Sequence, residues 1–237
     1  MNAPLDQIDH IKNYPELVQG SEEWLAARCG LLTASEMKYI ITPSTLKAAK
    51  NADQRAHLYE LLAQRITGYV EPAYISDDML RGQQDEIDAR QAYNKAYGGC
   101  ESMGFITNSK WGFTLGYSPD ALVGADGLIE CKSRRQKFQV ETILSAAMPD
   151  DFRIQVQTGL LVTERKWCDF VSYSGGLPMI TIRIFPEPDV QTAILDAASA
   201  FEAALSEKLA EYRRATEFSE LRLIPTIRRP PETEITI

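Results

Sequence analysis

The sequence predicts an α/β fold, a central mixed β-sheet flanked by helices. Three observations point there. Helical signals dominate residues 21–97. Short, turn-bounded runs containing β-formers fill residues 103–133. Helices then return and enclose two further strand-like runs before residue 216. With 237 residues, 44% of them hydrophobic, the chain has enough apolar material for one core. The expectation is a single domain over residues 1–237, with an irregular or oligomer-contacting tail at about 218–237.

The elements follow from local chemistry. Ser21-Glu22-Glu23 ahead of Trp24 and Leu25 starts a helix, with acidic residues in its first turn, and Gly30 ends it. Thr33-Ala34-Ser35-Glu36 opens a second. From Asn51 to Gly68 the residues Leu58, Leu61, Leu62 and Ile66 share one side, and Gly68 is the C-cap. Asp77 to Tyr97 forms another helix, closed by Gly98-Gly99. Strands are expected at Met103 to Asn108, Gly112 to Tyr117 and Ala121 to Gly124. Ala125-Asp126-Gly127 is a tight turn, and Leu128 to Ser133 is the strand beyond it. Phe138 to Met148 and Asp151 to Thr163 read as helices, Lys166 to Tyr173 and Met179 to Phe185 as strands, and Asp189 to Thr216 as a long Ala-rich helix. Pro225, Pro230 and Pro231 make the tail irregular.

Composition narrows the function. A formal net charge of -8 argues against simple duplex coating, which draws its affinity from phosphate neutralisation. It suits an enzyme that gathers its cations in one channel. Cys29, Cys100, Cys131 and Cys168 form no C-x-x-C pair, which speaks against a zinc site or a disulfide framework. Only His10 and His57 are present, and neither has metal-ligand spacing, so histidine-based and zinc chemistry are disfavoured. With no signal pattern in residues 1–20 and no apolar run of membrane length, a cytoplasmic protein without membrane association is expected.

The chemistry concentrates between Pro119-Asp120 and Glu130-Cys131-Lys132, a P-D-x9-E-x-K pattern. The turn at 125–127 folds Asp120 toward Glu130. Strand alternation puts Glu130 and Lys132 on one face and Cys131 on the other. Two carboxylates and an ammonium then converge, with the Cys131 backbone carbonyl available as a further oxygen ligand. Such oxygens suit Mg²⁺, which activates water and stabilises charge in phosphodiester hydrolysis. A second ion between the attacking and leaving oxygens would complete a two-ion site, and Mn²⁺ can substitute. Lys132 would orient or deprotonate the water, or hold a phosphate oxygen. The short pattern also arises by chance, and an amphipathic edge strand would leave Glu130 and Lys132 as a solvated pair. The apolar flanks Ala121, Leu122, Val123, Leu128 and Ile129 favour a buried hairpin instead.

Beyond this core, Trp24 with Arg28, then Gly30-Leu31-Leu32-Thr33-Ala34-Ser35, then Arg81-Gly82-Gln83-Gln84-Asp85-Glu86, and finally Gln155-Val156-Gln157 with Val162-Thr163 complete a series of blocks. In this order the chain resembles the lambda exonuclease, or YqaJ-type viral recombinase, branch of the PD-(D/E)xK nucleases. The resemblance implies a restriction-endonuclease-like core. It makes Asp120 and Glu130 the metal-binding carboxylates, Lys132 the catalytic lysine, Glu86 a helix glutamate that reaches the metal directly or indirectly, and Gln155 a positioning glutamine. Read alone, Glu86 would be an i,i+4 partner of Arg90.

Arg28, Ser35 and Ser118 match positions that hold a terminal 5′-phosphate. Arg28 offers a charged fork, and Ser35 sits near a helix entrance where amides favour an anion. The resemblance further implies 5′-to-3′ degradation of double-stranded DNA ends, release of mononucleotides, 3′ single-stranded overhangs for homologous recombination, a homotrimer ring, and a single-strand annealing partner. A phage or prophage origin in a bacterial host follows from it. Arg134, Arg135, Lys137 and Arg153 are candidate channel cations. Residues 134–152 and 224–237 lie outside the resemblance. A structure- or site-specific endonuclease of the same fold, and a DNA-end binding module with a relict site, are the competing readings.

Overall fold

The computed structural model describes residues 10–72, 76–218 and 220–228. In chain order the elements are β1 (Ile11–Tyr14), α1 (Glu22–Arg28), β2 (Leu32–Thr33), α2 (Met37–Ile40), β3 (Ile41–Thr42), β4 (Lys47–Ala48), α3 (Ala52–Thr67) and α4 (Asp77–Tyr97). There follow β5 (Cys100–Glu101), β6 (Phe105–Asn108), β7 (Leu115–Tyr117), β8 (Ala121–Val123), β9 (Gly127–Ser133), α5 (Gln136–Ser145), α6 (Arg153–Thr163), β10 (Trp167–Tyr173), β11 (Ile180–Ile184) and α7 (Pro188–Phe218). The mixed α/β class expected from the sequence holds.

The main sheet has five strands in the order β11-β10-β9-β8-β5. β9 and β10 are parallel, and the other pairs are antiparallel. A parallel pair needs a crossover, and α5 and α6 supply it. A second, four-stranded sheet (β1-β6-β7-β2) and a two-stranded ribbon (β3-β4) were not foreseen as separate sheets. β1, β2, β3 and β4 are two to four residues long, too short for a periodic signal. The Ser118-Pro119-Asp120 link carries the chain from β7 in one sheet to β8 in the other. Pro119 has no N–H and cannot continue a ladder, so the strand ends there.

Residues Gly127 to Cys131 of β9 are buried, and the strand is covered on both faces. Leu128 belongs to the larger core with Phe170, Ile154 and Leu160, on the α6 side. Ile129 and Cys131 pack with Ala89 and Tyr93 of α4 on the other. Full burial of one such aliphatic side chain contributes about 1.5–3 kcal/mol. The hairpin is therefore anchored from above and below, as its apolar flanks suggested.

Caps match the sequence at α1, α3 and α4. The hydroxyl of Ser21 accepts from Trp24 N–H at 3.2 Å, and Asn51 accepts from Gln54 N–H at 2.9 Å. Gly68 closes α3 in the left-handed region. α5 begins at Gln136 rather than Phe138 and ends at Ser145. The helix expected from Asp151 divides into a 3-10 turn, Asp150–Phe152, and α6. Residues 220–228 are irregular and exposed, and the rest of the expected tail lies outside the described residues. No helix among the described residues is long and apolar enough to cross a membrane.

Candidate active site

The β8–β9 ladder makes its last backbone bond from Asp120 N–H to the Ile129 carbonyl, at 3.2 Å. One step further the Asp120 side chain takes over, and its Oδ2 accepts from Cys131 N–H at 2.5 Å. Asp120 is thereby pinned beside Glu130. Glu130 is 2% exposed. Its Oε1 accepts from Lys132 Nζ at 2.6 Å and from Gln155 Nε2 at 2.5 Å, and its Oε2 accepts from the Tyr117 hydroxyl at 2.6 Å. β9, β7 and α6 thus converge on one carboxylate.

Glu86 comes from the opposite face. α4 packs against the β9 residues that point away from Glu130, and Asp85 Oδ2 accepts from the Ser133 hydroxyl at 2.5 Å. Burial raises the Glu86 carboxyl above its ordinary value; Lys132 and Arg90 oppose this, while Glu130 adds to it. Burial first, then Glu130 and Glu86, push Asp120 well above the ordinary carboxylate range, against Lys132 and the Cys131 N–H. For Lys132 burial lowers the ammonium, but Glu130 and Asp120 outweigh it and the net shift is upward. Glu86, Asp120, Glu130 and Lys132 therefore form one electrostatic unit. Arg90 donates to the Asp120 carbonyl at 3.1 Å, which is a firmer contact than the i,i+4 pairing considered for Glu86. A cleft of about 430 Å³ reaches Glu86 and Asp120, walled by Leu17, Val18, Arg90 and Met103.

Among the described residues no three His, Cys, Asp or Glu side chains are drawn together as a full ligand set. The donors nevertheless suit Mg²⁺, which takes one or two carboxylates and keeps several waters. Burial, with Glu130 and Glu86 nearby, makes a charged Asp120 costly, and a divalent cation at these oxygens would offset that cost.

The residues read as an end-binding pocket also meet. Trp24 Nε1 donates to the Ser118 hydroxyl at 2.9 Å, two residues before Asp120. The Arg28 guanidinium lies 4.1 Å from the Trp24 ring centroid. It donates to Thr33 Oγ1 at 3.0 Å and stands 3.6 Å from Glu36. Ser35 is exposed, with its hydroxyl 3.4 Å from that of Thr33. The helix entrance expected near Ser35 is formed, with a carboxylate of the protein already beside it. The helical turn there is Ala34–Glu36, and Glu36 itself caps it, accepting from Thr33 N–H at 3.0 Å.

Of the channel cations, Arg153 is paired with Glu187 in a salt bridge and is not aimed at the site. Arg134 lies 5.2 Å from the Phe152 ring centroid and 5.1 Å from that of Phe138, and Lys132 lies 5.6 Å from Phe152. Lys137 sits 4.6 Å from Phe138. Sequence reasoning missed Tyr117, Thr33 and Glu36. Only adjacency to Ser118-Pro119-Asp120 hinted at Tyr117, because its partner lies 13 positions away.

A family model for the YqaJ-like viral recombinase domain matches residues 23–166, more than half of the chain. Comparison with curated proteins finds no match. Among solved structures, the alkaline exonuclease LHK-Exo from Laribacter hongkongensis is 33% identical, with a TM-score of 0.73, covering 83% of this chain and 98% of that one. LHK-Exo in complex with dAMP matches at 34% identity and a TM-score of 0.74 over the same shares. A phage related exonuclease from Haemophilus somnus 129PT shares the fold at 14% identity and a TM-score of 0.55, over 77% of this chain and 96% of that one. On these grounds the chain belongs to the YqaJ-like viral recombinase domain family.

Proposed function

We propose that this chain is a Mg²⁺-dependent 5′-to-3′ exonuclease acting on double-stranded DNA ends, releasing mononucleotides and leaving 3′ overhangs for recombination. The single observation that carries the reading is the joining of two clusters through one link. Ser118 is held by Trp24 beside Arg28, and Asp120 is held beside Glu130 and Lys132. An end-gripping cation and a phosphodiester-cleaving carboxylate pair then sit on either side of Pro119. The exonuclease activity named for LHK-Exo supports the reading.

Bound Mg²⁺, in one or two ions, supplies an activated water and neutralises charge on the reacting phosphate. Asp120 and Glu130, with the Cys131 carbonyl, are the ligands, and Glu86 approaches from α4. Gln155 holds Glu130 in place. Lys132, kept protonated by its carboxylate neighbours, presents an ammonium to a phosphate oxygen or to the attacking water. Arg28, stacked on Trp24, offers its fork to the 5′-phosphate and exchanges Glu36 for it. Ser35 and Ser118 contribute hydroxyls. A homotrimer ring around DNA and a single-strand annealing partner belong to the same proposal. So does action in a bacterial cytoplasm from a phage or prophage gene.

The test is topological. Linear duplex, nicked circle and closed circle are incubated with Mg²⁺ and separated on a gel. Loss of the linear duplex with survival of the closed circle is expected. Cutting of the closed circle would overturn the reading in favour of an endonuclease.

A further inference from the structure

Tyr117 is buried, at 2% exposure, and packs where few side chains allow it. A Cβ at Gly159 would come within 2.7 Å of its ring. Glycine inside a helix is unfavourable relative to alanine, so α6 accepts a locally poor residue at 159 and the phenol fits over it. Gln155 and Gly159 are four residues apart and share one face of α6. One face of one helix therefore brings a donor to Glu130 Oε1 and makes room for the donor to Glu130 Oε2.

An ionised carboxylate offers about four lone-pair sites, two on each oxygen. Lys132 and Gln155 occupy both on Oε1, and Tyr117 occupies one on Oε2. One site remains, and it is on the oxygen that Tyr117 holds. The terminal torsion of glutamate is broad and roughly two-fold. Two donors gripping the same oxygen leave the carboxylate free to pivot about it. A donor on the other oxygen removes that freedom.

We infer that Tyr117 is a positioning residue for the metal site, its buried hydroxyl fixing the rotation of the Glu130 carboxylate so that Oε2 presents its remaining lone pair to the divalent cation. The inference rests on Glu130 being a metal ligand, as proposed above. A phenol keeps its proton at neutral pH, so it donates without adding charge to the cluster. It thereby orients the ligand while leaving the attraction for the cation intact.

The test is calorimetric titration of Mn²⁺ into metal-free protein without DNA, for wild type, Tyr117→Phe and Glu130→Gln, beside the Mg²⁺ dependence of cleavage. Tyr117→Phe keeps the ring and removes only the hydroxyl. Loss of an orienting partner weakens metal binding by roughly 10- to 100-fold, and Tyr117→Phe is expected to show such a loss, with a matching rise in the Mg²⁺ concentration giving half-maximal rate. Glu130→Gln is expected to lose measurable binding. If Glu130→Gln loses binding and Tyr117→Phe binds as wild type, the positioning role is overturned and the metal reading stands. If Glu130→Gln binds Mn²⁺ as wild type, the metal reading falls and this inference with it. Should Tyr117→Phe fail to fold, Gly159→Ala decides, since it keeps the hydroxyl but displaces the ring; unchanged Mn²⁺ affinity there overturns the inference.

Discussion

Glu130 and Arg28 are both charged groups held inside the protein, and they are held differently. Glu130 is sealed, with 3% of its side chain exposed, between a strand, a helix and the end of a second sheet, and both oxygens are bonded. Arg28 keeps 17% of its side chain exposed, at the end of a seven-residue helix, with an aromatic ring on one side and Glu36 within reach. Burial lowers the Arg28 guanidinium, and Glu36 opposes that. The first surroundings fix geometry, as bond cleavage requires. The second hold a charge loosely enough to exchange one anion for another, as the proposed end capture would require. Substitutions near Glu130 should therefore cost rate, and substitutions near Arg28 should cost preference among ends.

The sharpest break in that comparison comes from Lys132→Ala. Cleavage should fall by at least about 10²- to 10³-fold, the scale for removing a group that stabilises developing charge. DNA binding in Ca²⁺, read by gel shift, should hold within about twofold, since that change is below about 0.5 kcal/mol. A parallel loss of binding would place Lys132 in the grip rather than the chemistry.

Arg28→Ala comes next. Hydrogen bonds to charged groups contribute about 1.5–3 kcal/mol, so the preference for 5′-phosphorylated over 5′-hydroxyl ends should drop by roughly 10- to 100-fold. The rate on phosphorylated ends at saturation should change far less. Equal use of both ends by wild type would remove the pocket altogether.

Gly30→Ala probes how the Arg28 pocket is supported. Gly30 has φ +70°, and an added Cβ would meet Arg65 Cγ at 2.6 Å. Arg65 also donates to the Gly30 carbonyl at 2.8 Å and pairs with Glu202 at 2.7 Å. The left-handed conformation alone costs an alanine about 1–2 kcal/mol, readable by urea denaturation. The end preference should weaken with it, and intact preference in a destabilised protein would separate the pocket from the turn.

Asp120→Asn sharpens the other side. Between its ordinary value of 3.8 and its raised one, the unfolded chain releases a proton that the folded chain retains. Stability of the metal-free protein therefore falls as pH rises through that window. Removing the charge should abolish cleavage yet raise the metal-free Tm by about 2–4 °C, the shift for ~1 kcal/mol in a chain of this size. It should also flatten the pH dependence, and Mg²⁺ should no longer raise Tm. A lowered Tm at neutral pH would contradict the electrostatic account. The smallest effect belongs to Arg153→Ala. Arg153 is committed to Glu187 at a half-exposed site, where such pairs contribute about 0–1 kcal/mol. End preference and cleavage rate should both stay within about twofold of wild type.

How legible this was in the sequence depended on range. The long helices α3, α4 and α7 and the β8–β9 hairpin carried their own periodicity and punctuation, in Asn51, Gly68, Gly98 and the 125–127 turn. Asp120, Glu130 and Lys132 were found because one hairpin places all three. Tyr117 was not, because its bond to Glu130 is made by β7 crossing from the second sheet. The four-stranded sheet escaped notice as a separate sheet for the same reason: β2 and β7 pair across 83 positions at Leu32 and Leu115, with two or three residues each. Ser35 lies in the helical turn Ala34–Glu36 that the sequence placed there, but the Glu36 carboxylate beside it comes from a capping box that the reading of Ser35 did not include.

The most direct measurement of the central claim is digestion of 5′-end-labelled linear duplex, with and without a terminal phosphate, in Mg²⁺ and in chelator. The account predicts labelled mononucleotide as the first product from the phosphorylated end in Mg²⁺ and no product in chelator. Undigested duplex with Mg²⁺ supplied, or label released at the same rate in chelator, would contradict it.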